Sequence, residues 1–396
     1  MIVTHLSLTD FRNYENAEVP LVAGPNLFVG SNGQGKTNLV ESLAYLSTLG
    51  SHRVSVDHAM IRQGTDSAIV RARLENSERQ LLVEVQLNRS TANRAQVNRS
   101  VIKTRELPRY FSSVLFAPED LALIRGDPSG RRRFLDELLI LRSPRLSGVM
   151  ADYDRVLRQR NTLLKSARAS GLKDTRLGTL EIWDERLVSL GSELIAARSG
   201  LVAELQPEVA ASYVAVAGAD HRASLSLQLS IFSGPGDVGV DEADGADPAS
   251  TDSLREDRLS PDDTATAFRA ALARLRRSEL DRGITLVGPH RDDLVLQLND
   301  LPAKGYASHG ESWSFALALK LASAELLRRE SATGDPVLML DDVFAELDEA
   351  RRARLAAAVA GFEQVLITAA VFDDVPVGLR GNAVHIANGT VVPEPT

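Results

Sequence analysis

One octapeptide constrains the fold of this 396-residue chain more than any other feature. It follows the short apolar run Leu27–Val29 and precedes a helical pattern that continues to Leu49. Its residues are Gly30, Ser31, Asn32, Gly33, Gln34, Gly35, Lys36 and Thr37. This is a complete Walker A sequence in the order of strand, loop and helix that such a loop requires. It predicts an α/β fold with a phosphate-binding loop.

The residue types in this octapeptide fit nucleotide binding. Glycines let backbone N–H groups curl around phosphates, and the following helix N-terminus favours negative charge. Lys36 is predicted to reach the β- and γ-phosphates, and the Thr37 hydroxyl to ligate magnesium. The expected cofactors are therefore ATP and Mg²⁺.

A second motif supplies acids. The apolar run Val337–Leu340 ends in Asp341 and Asp342, the Walker B arrangement. Asp341 is predicted to hold the metal, and Asp342 to orient or deprotonate the attacking water, so that Asp342 and Lys36 are the catalytic candidates. Taken alone, paired acids after a strand are often an ordinary cap, but the Walker A sequence favours the catalytic interpretation. Asp348 then stands at the position of a D-loop.

A third motif indicates the ABC class of ATPases. Ser308-His309-Gly310-Glu311-Ser312 lies about thirty residues before the Walker B strand and directly before the apolar helix predicted for Phe315–Leu327. In that class Ser308 and Gly310 contact the γ-phosphate of ATP held by the opposite subunit, which predicts an ATP-dependent homodimer. By itself the pattern is only a helix cap.

Composition limits the class of protein. Hydrophobic residues make up 44% and charged residues 25% of the chain, as in a soluble protein long enough for two domains. Cysteine is absent, which excludes disulfides and thiolate metal sites. The N-terminal residues lack the pattern of a signal peptide, and no apolar stretch approaches the roughly 20 residues that span a bilayer. We expect a cytoplasmic protein without a membrane partner.

Charge is unevenly distributed. The net charge of −8 argues weakly against nucleic acid, but acids concentrate in Asp237–Asp263 while bases predominate between Arg125 and Lys165. The run Arg131–Arg133 is either a phosphate-binding patch or, as is common for charge runs, a solvated face.

Periodicity predicts one α/β domain made from both ends of the chain, interrupted by a helical arm. The expected limits are 1–130 for the N-terminal lobe of the head, 131–283 for the arm and 284–396 for the C-terminal lobe. A disordered or loosely held insertion is expected near 234–263, before a helix at Ala265–Leu280. Expected strands and hairpins are Ile2–Leu8, Ala68–Leu74 with Leu81–Leu87, the parallel pair Pro336–Leu340 and Val365–Ile367, and a terminal hairpin at Val384–Val392.

The chain resembles the RecF family of SMC-like ATPases. The resemblance rests on segments that span nearly the whole sequence. They are Leu8–Tyr14, Asn32–Asn38, Phe116–Leu121, Arg131–Asp136 and Gly288–Asp293.

The resemblance implies an ABC/SMC-type head with a shorter arm than in SMC proteins. It adds Arg12 and Asn38 to the expected nucleotide-binding residues. It also implies ATP-dependent dimerisation on double-stranded DNA, action at single-strand gap junctions, weak DNA-dependent ATPase activity and loading of a recombinase with RecO and RecR as partners.

The sequence departs from the family pattern at two places, and two other functions are alternatives to this interpretation. Glu311, Ser312 and Trp313 stand where the family has glutamines and an arginine, and Thr368 stands where transporters place a switch histidine. A transporter ATPase subunit is one alternative, and the long helical insertion argues against it. An SMC-type tether is the other, and the arm lacks long heptads.

Three further residues favour structural interpretations. His290 lies beside acids, yet an interface or structural role is favoured for it in an ATPase that already has its own acids. Trp183 and Trp313 are interpreted as core residues, since tryptophan is more often buried than available for stacking on bases.

Overall fold

The computed structural model describes residues 1–76, 79–170, 178–233, 254–255, 260–331 and 333–392. The chain forms two compact units. The first contains Met1–Leu121, Glu208–His221 and Ser308–Thr396, and the second contains Ala122–Pro207 and Arg222–Ala307. A head made from both ends of the chain was expected. The limits 1–130, 131–283 and 284–396 stay a prediction.

Strands are found in both units. In chain order they are β1 (Ile2–Phe11), β2 (Tyr14–Pro20), β3 (Gly24–Val29), β4 (Ser67–Asn76), β5 (Arg79–Asn88), β6 (Arg94–Val97), β7 (Ser100–Ile102), β8 (Ser113–Phe116), β9 (Ser224–Gln228), β10 (Leu254–Arg255), β11 (Asp293–Leu298), β12 (Leu301–Pro302), β13 (Val337–Asp341), β14 (Gln364–Ala369), β15 (Asn382–Ala387) and β16 (Thr390–Val392).

The α-helices range from one turn to 40 residues. In chain order they are α1 (Lys36–Thr48), α2 (Leu121–Arg125), α3 (Pro128–Arg142), α4 (Leu146–Ser170), α5 (Gly178–Ala217), α6 (Pro261–Arg282), α7 (Ala303–Tyr306), α8 (His309–Glu330) and α9 (Glu349–Val359).

The first unit contains two six-stranded sheets. One is antiparallel, in the order β2-β1-β4-β5-β6-β7, and includes the predicted hairpin as β4 and β5. The other has the order β16-β15-β3-β14-β13-β8 and is parallel except for the pair β15 and β16, the predicted terminal hairpin. The carboxyl ends of parallel strands meet at one edge, and β3 is followed there by the glycine-rich loop.

Helix α1 belongs to the core that the antiparallel sheet shares with the parallel one. Its predicted apolar face, Leu39, Leu43 and Leu46, is fully buried in a cluster that includes Val70 of the antiparallel sheet and Met339 of the parallel one. Helix α8 is buried from Ser312 to Leu319, because small and apolar residues alternate around it. The loops that precede α1 and α8 are therefore fixed by packed helices.

The second unit contains α3, α4, α6, most of α5 and a four-stranded sheet in the order β10-β9-β11-β12, with α3 packed on β11 and α4 on α6. Arg160 of α4 is fully buried. Its guanidinium donates to Asp184 Oδ1 at 2.7 Å, to Glu279 Oε2 at 2.6 Å and to Thr285 Oγ1 at 2.8 Å. One cation thus joins three segments of the chain.

We expect Arg160→Met to destabilise the second unit by about 3–5 kcal/mol, because it leaves the buried Glu279 carboxylate without its cation. Arg155→Met is the matched control: Arg155 is 67% exposed, pairs with the exposed Asp152 and should cost about 0–1 kcal/mol. Urea unfolding of both variants measures the difference. Equal stability of the two would show that the buried cation contributes nothing.

The run Arg131–Arg133 corrects the expectation of a patch or a solvated face. Arg131 is only 5% exposed and pairs with Asp293 through two hydrogen bonds of 2.7 Å. Arg132 donates to the carbonyl of Asp292 at 2.8 Å, and Arg133 alone lies on an exposed face, 2.7 Å from Glu137. A charge run does not reveal a partner 162 positions away.

The expected insertion near 234–263 falls mostly outside the described residues. Two of its described parts contradict the expectation. Leu254–Arg255 pairs with β9, and α6 begins at Pro261 rather than Ala265. The Ser260 side chain accepts from Asp263 N at 3.2 Å, and proline at the first helical position also favours a helix start there.

The remaining aromatic candidates are placed inside the units. Burial lowers the pKa of His290 to about 3, and its Nδ1 lies 2.7 Å from the Tyr153 hydroxyl. Trp313 is 3% exposed in α8, whereas Trp183 is only partly buried and stacks near Arg186. The favoured structural interpretation thus fits His290 and Trp313 better than Trp183.

Candidate nucleotide site

The glycine-rich loop turns sharply between β3 and α1. Gly35 has φ 118°, and a Cβ atom there would lie 2.8 Å from the Tyr14 hydroxyl and 2.9 Å from the Asn13 amide. At Gly30 a Cβ atom would lie 2.3 Å from the carbonyl oxygen of Ile386. Glycine is required at both positions, once for the left-handed backbone and once for close approach.

Lys36 lies inside this curl. Its Nζ donates to the carbonyl oxygens of Gly30 at 2.6 Å and Ser31 at 3.1 Å, and the residue is 5% exposed. Burial lowers the pKa of Lys36, while the nearby Asp342 and Asp341 carboxylates oppose the shift. The ammonium group is thus held inside the loop, and its contact with the β- and γ-phosphates stays a prediction.

Segments from both ends of the chain brace the tip of the loop. The carbonyl of Gln34 accepts from Asn13 Nδ2 and from the amide of Gly389, each at 3.0 Å. Its side-chain oxygen accepts from Asn388 N at 2.6 Å. The Tyr14 hydroxyl donates to the Gly35 carbonyl at 3.1 Å. This gives the Asn13-Tyr14 part of the family resemblance a physical role.

The predicted metal ligands come together across 304 positions of sequence. The Thr37 hydroxyl donates to Asp341 Oδ1 at 2.9 Å, and the Thr368 hydroxyl donates to the same oxygen at 2.6 Å. Burial raises the pKa of Asp341, against the opposing effect of these two hydrogen bonds. One carboxylate and one hydroxyl fit Mg²⁺, which takes few protein ligands beside phosphate and water.

Asp342 sits at the turn that follows the strand, with φ 53°. Its backbone N–H donates to Thr368 Oγ1 at 2.9 Å, which fixes the turn. Partial burial raises the pKa of its carboxyl group, with Glu346 and Asp374 adding to the shift and Lys36 opposing it. The Thr368 hydroxyl therefore holds the Asp341 carboxylate, to which it donates, and the backbone of Asp342, from which it accepts.

Two side chains beside the site were missed in the sequence. His52 Nε2 lies 4.0 Å from Asp341 Oδ2, and its side chain is 16% exposed. Arg53 Nη1 donates to Asn38 Oδ1 at 2.9 Å. The available sequence signal for both residues was the polar segment Ser51-His52-Arg53, which follows shortly after α1. A polar turn at that point returns the chain toward the glycine-rich loop.

Arg12 is placed next to α1 by an ion pair. Its guanidinium donates twice to the fully buried Glu41 carboxylate, at 2.8 Å and 2.6 Å, and once to the Ala59 carbonyl at 3.0 Å. Burial opposes ionisation of Glu41, but the hydrogen bonds from Arg12 and Ser51 lower its pKa. Its predicted nucleotide contact stays a prediction.

The signature residues begin α8. Ser308 is the N-cap: its Oγ accepts from Glu311 N at 3.3 Å, and the Glu311 carboxylate accepts from Ser308 N at 2.8 Å. Hydrogen bonds from the hydroxyl group and the backbone N–H of Ser308 to the Glu311 carboxylate lower the pKa of Glu311. Glutamate at this position, a departure from the family pattern, thus closes a capping box.

Asp348 is joined to the signature helix through Arg351. The Asp348 carboxylate accepts from Arg351 N at 2.8 Å and from Arg351 Nη1 at 2.5 Å, while Arg351 Nε donates to Ser314 Oγ at 3.2 Å. A Cβ atom on Gly310 would lie 2.9 Å from Arg351 Nη2. The hydrogen bonds therefore connect the predicted residues in two groups, the P-loop with the acids and the signature with Asp348.

The chain is similar to known proteins over nearly its whole length. The family described as RecF/RecN/SMC N terminal domain matches residues 2–374. The DNA replication and repair protein RecF of Clavibacter sepedonicus is 68% identical over 397 residues, which cover 100% of this chain and 96% of that protein. The protein of the same name from Leifsonia xyli subsp. xyli is 66% identical over 392 residues, 99% of each chain.

The fold of the chain is also similar to the folds of solved structures. "Structure of the recombination mediator protein RecF-ATPrS in RecFOR pathway" has a TM-score of 0.83 at 27% identity, covering 98% of this chain and 97% of that one. The corresponding RecF-ATP structure has a TM-score of 0.81 at 26% identity, covering 99% and 98%. An Smc head from Pyrococcus furiosus, with a TM-score of 0.50 at 15% identity over 98% and 94%, shares the fold. In the parts of the chain described, no helix is long and apolar enough to cross a membrane.

Proposed function

The chain belongs to the RecF family, and from this premise we propose that it is an ATP-dependent DNA-binding protein of recombinational repair and replication restart. ATP closes two copies into a homodimer on double-stranded DNA near single-strand gap junctions. Slow hydrolysis reopens the dimer, so that the chain is a weak DNA-dependent ATPase that uses hydrolysis as a timer. RecO and RecR are its proposed partners in loading a recombinase, and the cytoplasm is its proposed location.

One observation supports the proposal most directly. The Thr37 hydroxyl lies 2.9 Å from Asp341 Oδ1, beside a lysine held inside the loop. This pairing of a P-loop hydroxyl with a strand-end carboxylate is the magnesium arrangement of P-loop ATPases. Mg²⁺ bound by Thr37 and Asp341 would neutralise charge on the β- and γ-phosphates.

The other residues of the proposed site have separate roles in phosphate binding and hydrolysis. Lys36 and the loop amides bind and orient the phosphates, and Asp342 positions or deprotonates the attacking water. Ser308 Oγ accepts from Glu311 N at the start of α8, and the proposed role of its hydroxyl group is to turn from the Glu311 carboxylate to a phosphate of the partner subunit. Gly310 adds no Cβ atom beside it. The proposed site is therefore complete only when two copies face each other.

The test is DNA binding with ATP, with ADP and without nucleotide. We expect a gapped duplex to be bound most tightly with ATP, at one fixed salt concentration because phosphate contacts are salt-sensitive. The same affinity in all three conditions would contradict ATP-driven closure. Binding only through a membrane partner would favour the transporter alternative.

Lys36→Ala is expected to lower ATP turnover by about 10²–10³-fold or more, because a preorganised positive charge at the transferred phosphate is lost. Lys36→Arg should fail as well, since a planar guanidinium cannot replace the compact ammonium inside the loop. Lys165→Ala, at an exposed position of α4, is the control and should hydrolyse ATP normally. Normal turnover by Lys36→Ala would remove the P-loop assignment.

A further inference from the structure

The edge of the antiparallel sheet in the first unit carries an unusual concentration of positive charge. Strands β6 and β7 and the 3₁₀ helix Thr104–Arg109 form one continuous segment, which we call the basic hairpin, Arg94–Arg109. It contains a single acid, Glu106, and five bases, Arg94, Arg99, Lys103, Arg105 and Arg109. The segment thus has a charge of +4 in a chain whose net charge is −8.

All five bases are exposed. Within the described ranges, none of their side chains forms a hydrogen bond or ion pair, whereas several exposed arginines elsewhere, such as Arg133, Arg145 and Arg269, pair with acids. Their charges are therefore available to an external anion. An uncompensated cluster of this kind raises the local positive potential despite the negative net charge.

The base-rich segment Arg125–Lys165, for which the sequence left a phosphate-binding patch open, differs in this respect. Between Arg125 and Lys165 the bases are largely paired inside the second unit: Arg131 with Asp293, Arg133 with Glu137, Arg145 with Glu193, Arg155 with Asp152 and Arg160 with Asp184 and Glu279. A paired arginine must give up its partner before it can contact a phosphate. The paired segment is therefore a poorer anion site than the basic hairpin.

The register of the hairpin places Arg94 and Lys103 on one face of the sheet, with Arg99 at its turn. Ala95 and Val97 are buried toward the core, so Arg94 projects to the opposite, solvated face. Because Ala95 faces Ile102, the next pair outward is Arg94 and Lys103. Arg99 occupies the two-residue turn at the other end, with φ 67°.

The dimensions fit a nucleic acid backbone. Four strand residues span about 13 Å, so the hairpin places cations at both ends of a surface of that length. Duplex DNA carries one phosphate per roughly 3.4 Å of each strand, which sets several phosphates against such a surface. Beyond β5, strand β4 adds the exposed Arg73 on the same face, and Arg71 of β4 pairs with Glu84 of β5.

The composition of the surface favours DNA over a protein or a membrane. Val101, 77% exposed, is the only large apolar side chain among the exposed residues of the hairpin, and no aromatic residue is exposed there. Protein interfaces depend on buried aromatic and apolar anchors, and membrane surfaces require an apolar face. Cations without anchors are typical of phosphate-backbone contact.

We propose that the basic hairpin, Arg94–Arg109, is the surface through which this protein contacts the phosphate backbone of duplex DNA. The proposal rests on the proposed function and adds the location of its DNA site. It assigns no base contacts, so the hairpin binds duplexes of any sequence and depends strongly on salt.

The experiment compares two triple variants by duplex binding with ATP over a range of salt concentrations. The test variant carries glutamine at Arg94, Arg99 and Lys103, and the matched control carries glutamine at Lys165, Arg186 and Arg277, three exposed bases of the second unit. Both lose the same charge. For the test variant we expect the slope of log affinity against log salt to fall by about 2.7, and affinity at 0.1 M salt to fall by ~10²–10³-fold. The control should keep the wild-type slope to within about 0.5.

The outcomes separate the proposals. If the wild type fails to bind duplex with ATP, the proposed function itself fails. If the wild type binds and the test variant keeps its slope, the bases only protect the sheet edge from pairing, and the hairpin proposal is wrong. An equal loss in the control would assign the effect to net charge and overturn the proposal as well.

A second measurement guards against indirect effects. The test variant should keep wild-type ATP binding, melting temperature and ATP-dependent dimerisation, because its replaced side chains are exposed and unpaired. Loss of dimerisation would mean that the hairpin contacts the second copy, which also overturns the proposal. The pair Arg105→Gln and Arg109→Gln should by itself lower the slope by about 1.8.

Discussion

Replacing Asp342 by asparagine is expected to slow ATP hydrolysis by about 10²–10⁴-fold with little change in ATP affinity. Asparagine keeps the size of the side chain but cannot accept a proton from water. The turn should survive, because it is held by the backbone N–H of Asp342 on Thr368, and the contact of Thr37 with Asp341 does not involve the replaced group.

The variant should therefore accumulate as an ATP-bound dimer with a long lifetime on DNA. Single-turnover hydrolysis and light scattering with ATP measure the two effects. Asp374→Asn is the control: this nearby acid pairs with Arg352 at 3.0 Å, and its loss should change turnover only a few-fold. Wild-type hydrolysis by Asp342→Asn would mean that the division of roles between Asp341 and Asp342 is wrong.

Mixing two inactive variants is expected to restore activity if the site is shared between subunits. Ser308→Arg keeps its own P-loop but places bulk and positive charge at the partner's γ-phosphate. Lys36→Ala keeps its signature but loses the P-loop contact. In a mixed dimer one site carries both defects, and the other combines an intact P-loop with an intact signature.

The expected recovery is roughly a quarter of wild-type turnover, since half of the dimers in an equal mixture are mixed and each has one working site of two. Ser331→Arg, at the other end of α8, is the control and should hydrolyse ATP alone. If heterodimers form and the mixture stays inactive, the shared site loses its support. If Ser308→Arg hydrolyses ATP as a monomer, the site is complete in one chain.

Features with a local cause could be predicted from the sequence. The strand, glycine-rich loop and helix around Lys36 are encoded within about 25 residues. The turn of the terminal hairpin is encoded by the adjacent residues Asn388 and Gly389. The ATPase head and its inserted helical arm were also predicted correctly, because the three motifs occur in the order that this fold requires.

Features that depend on distant partners could not be predicted. Arg131 and Arg160 look like surface charges until Asp293 and Glu279 are placed beside them. The polar turn at His52 indicates a return of the chain toward the loop, but nothing near it in the sequence identifies Asp341 as its neighbour. The basic hairpin was overlooked for the opposite reason: its bases are spread over sixteen positions, and only the fold shows that they are unpaired.

The bracing of Gln34 by Asn388 and Gly389 has a consequence for biosynthesis. Gln34 and Asn388 are 354 positions apart in the sequence. Strand β3 lies between β15 and β14, which also come late in the chain. At ribosomal rates of about 5–20 residues per second, roughly 20–70 s pass between translation of the loop and of its brace. During that time the apolar strand Leu27–Val29 lacks the strands that pair with it. Apolar surface exposed in this way is what chaperones protect in a nascent chain. We therefore expect the loop to reach its braced conformation only after the last strands have been made.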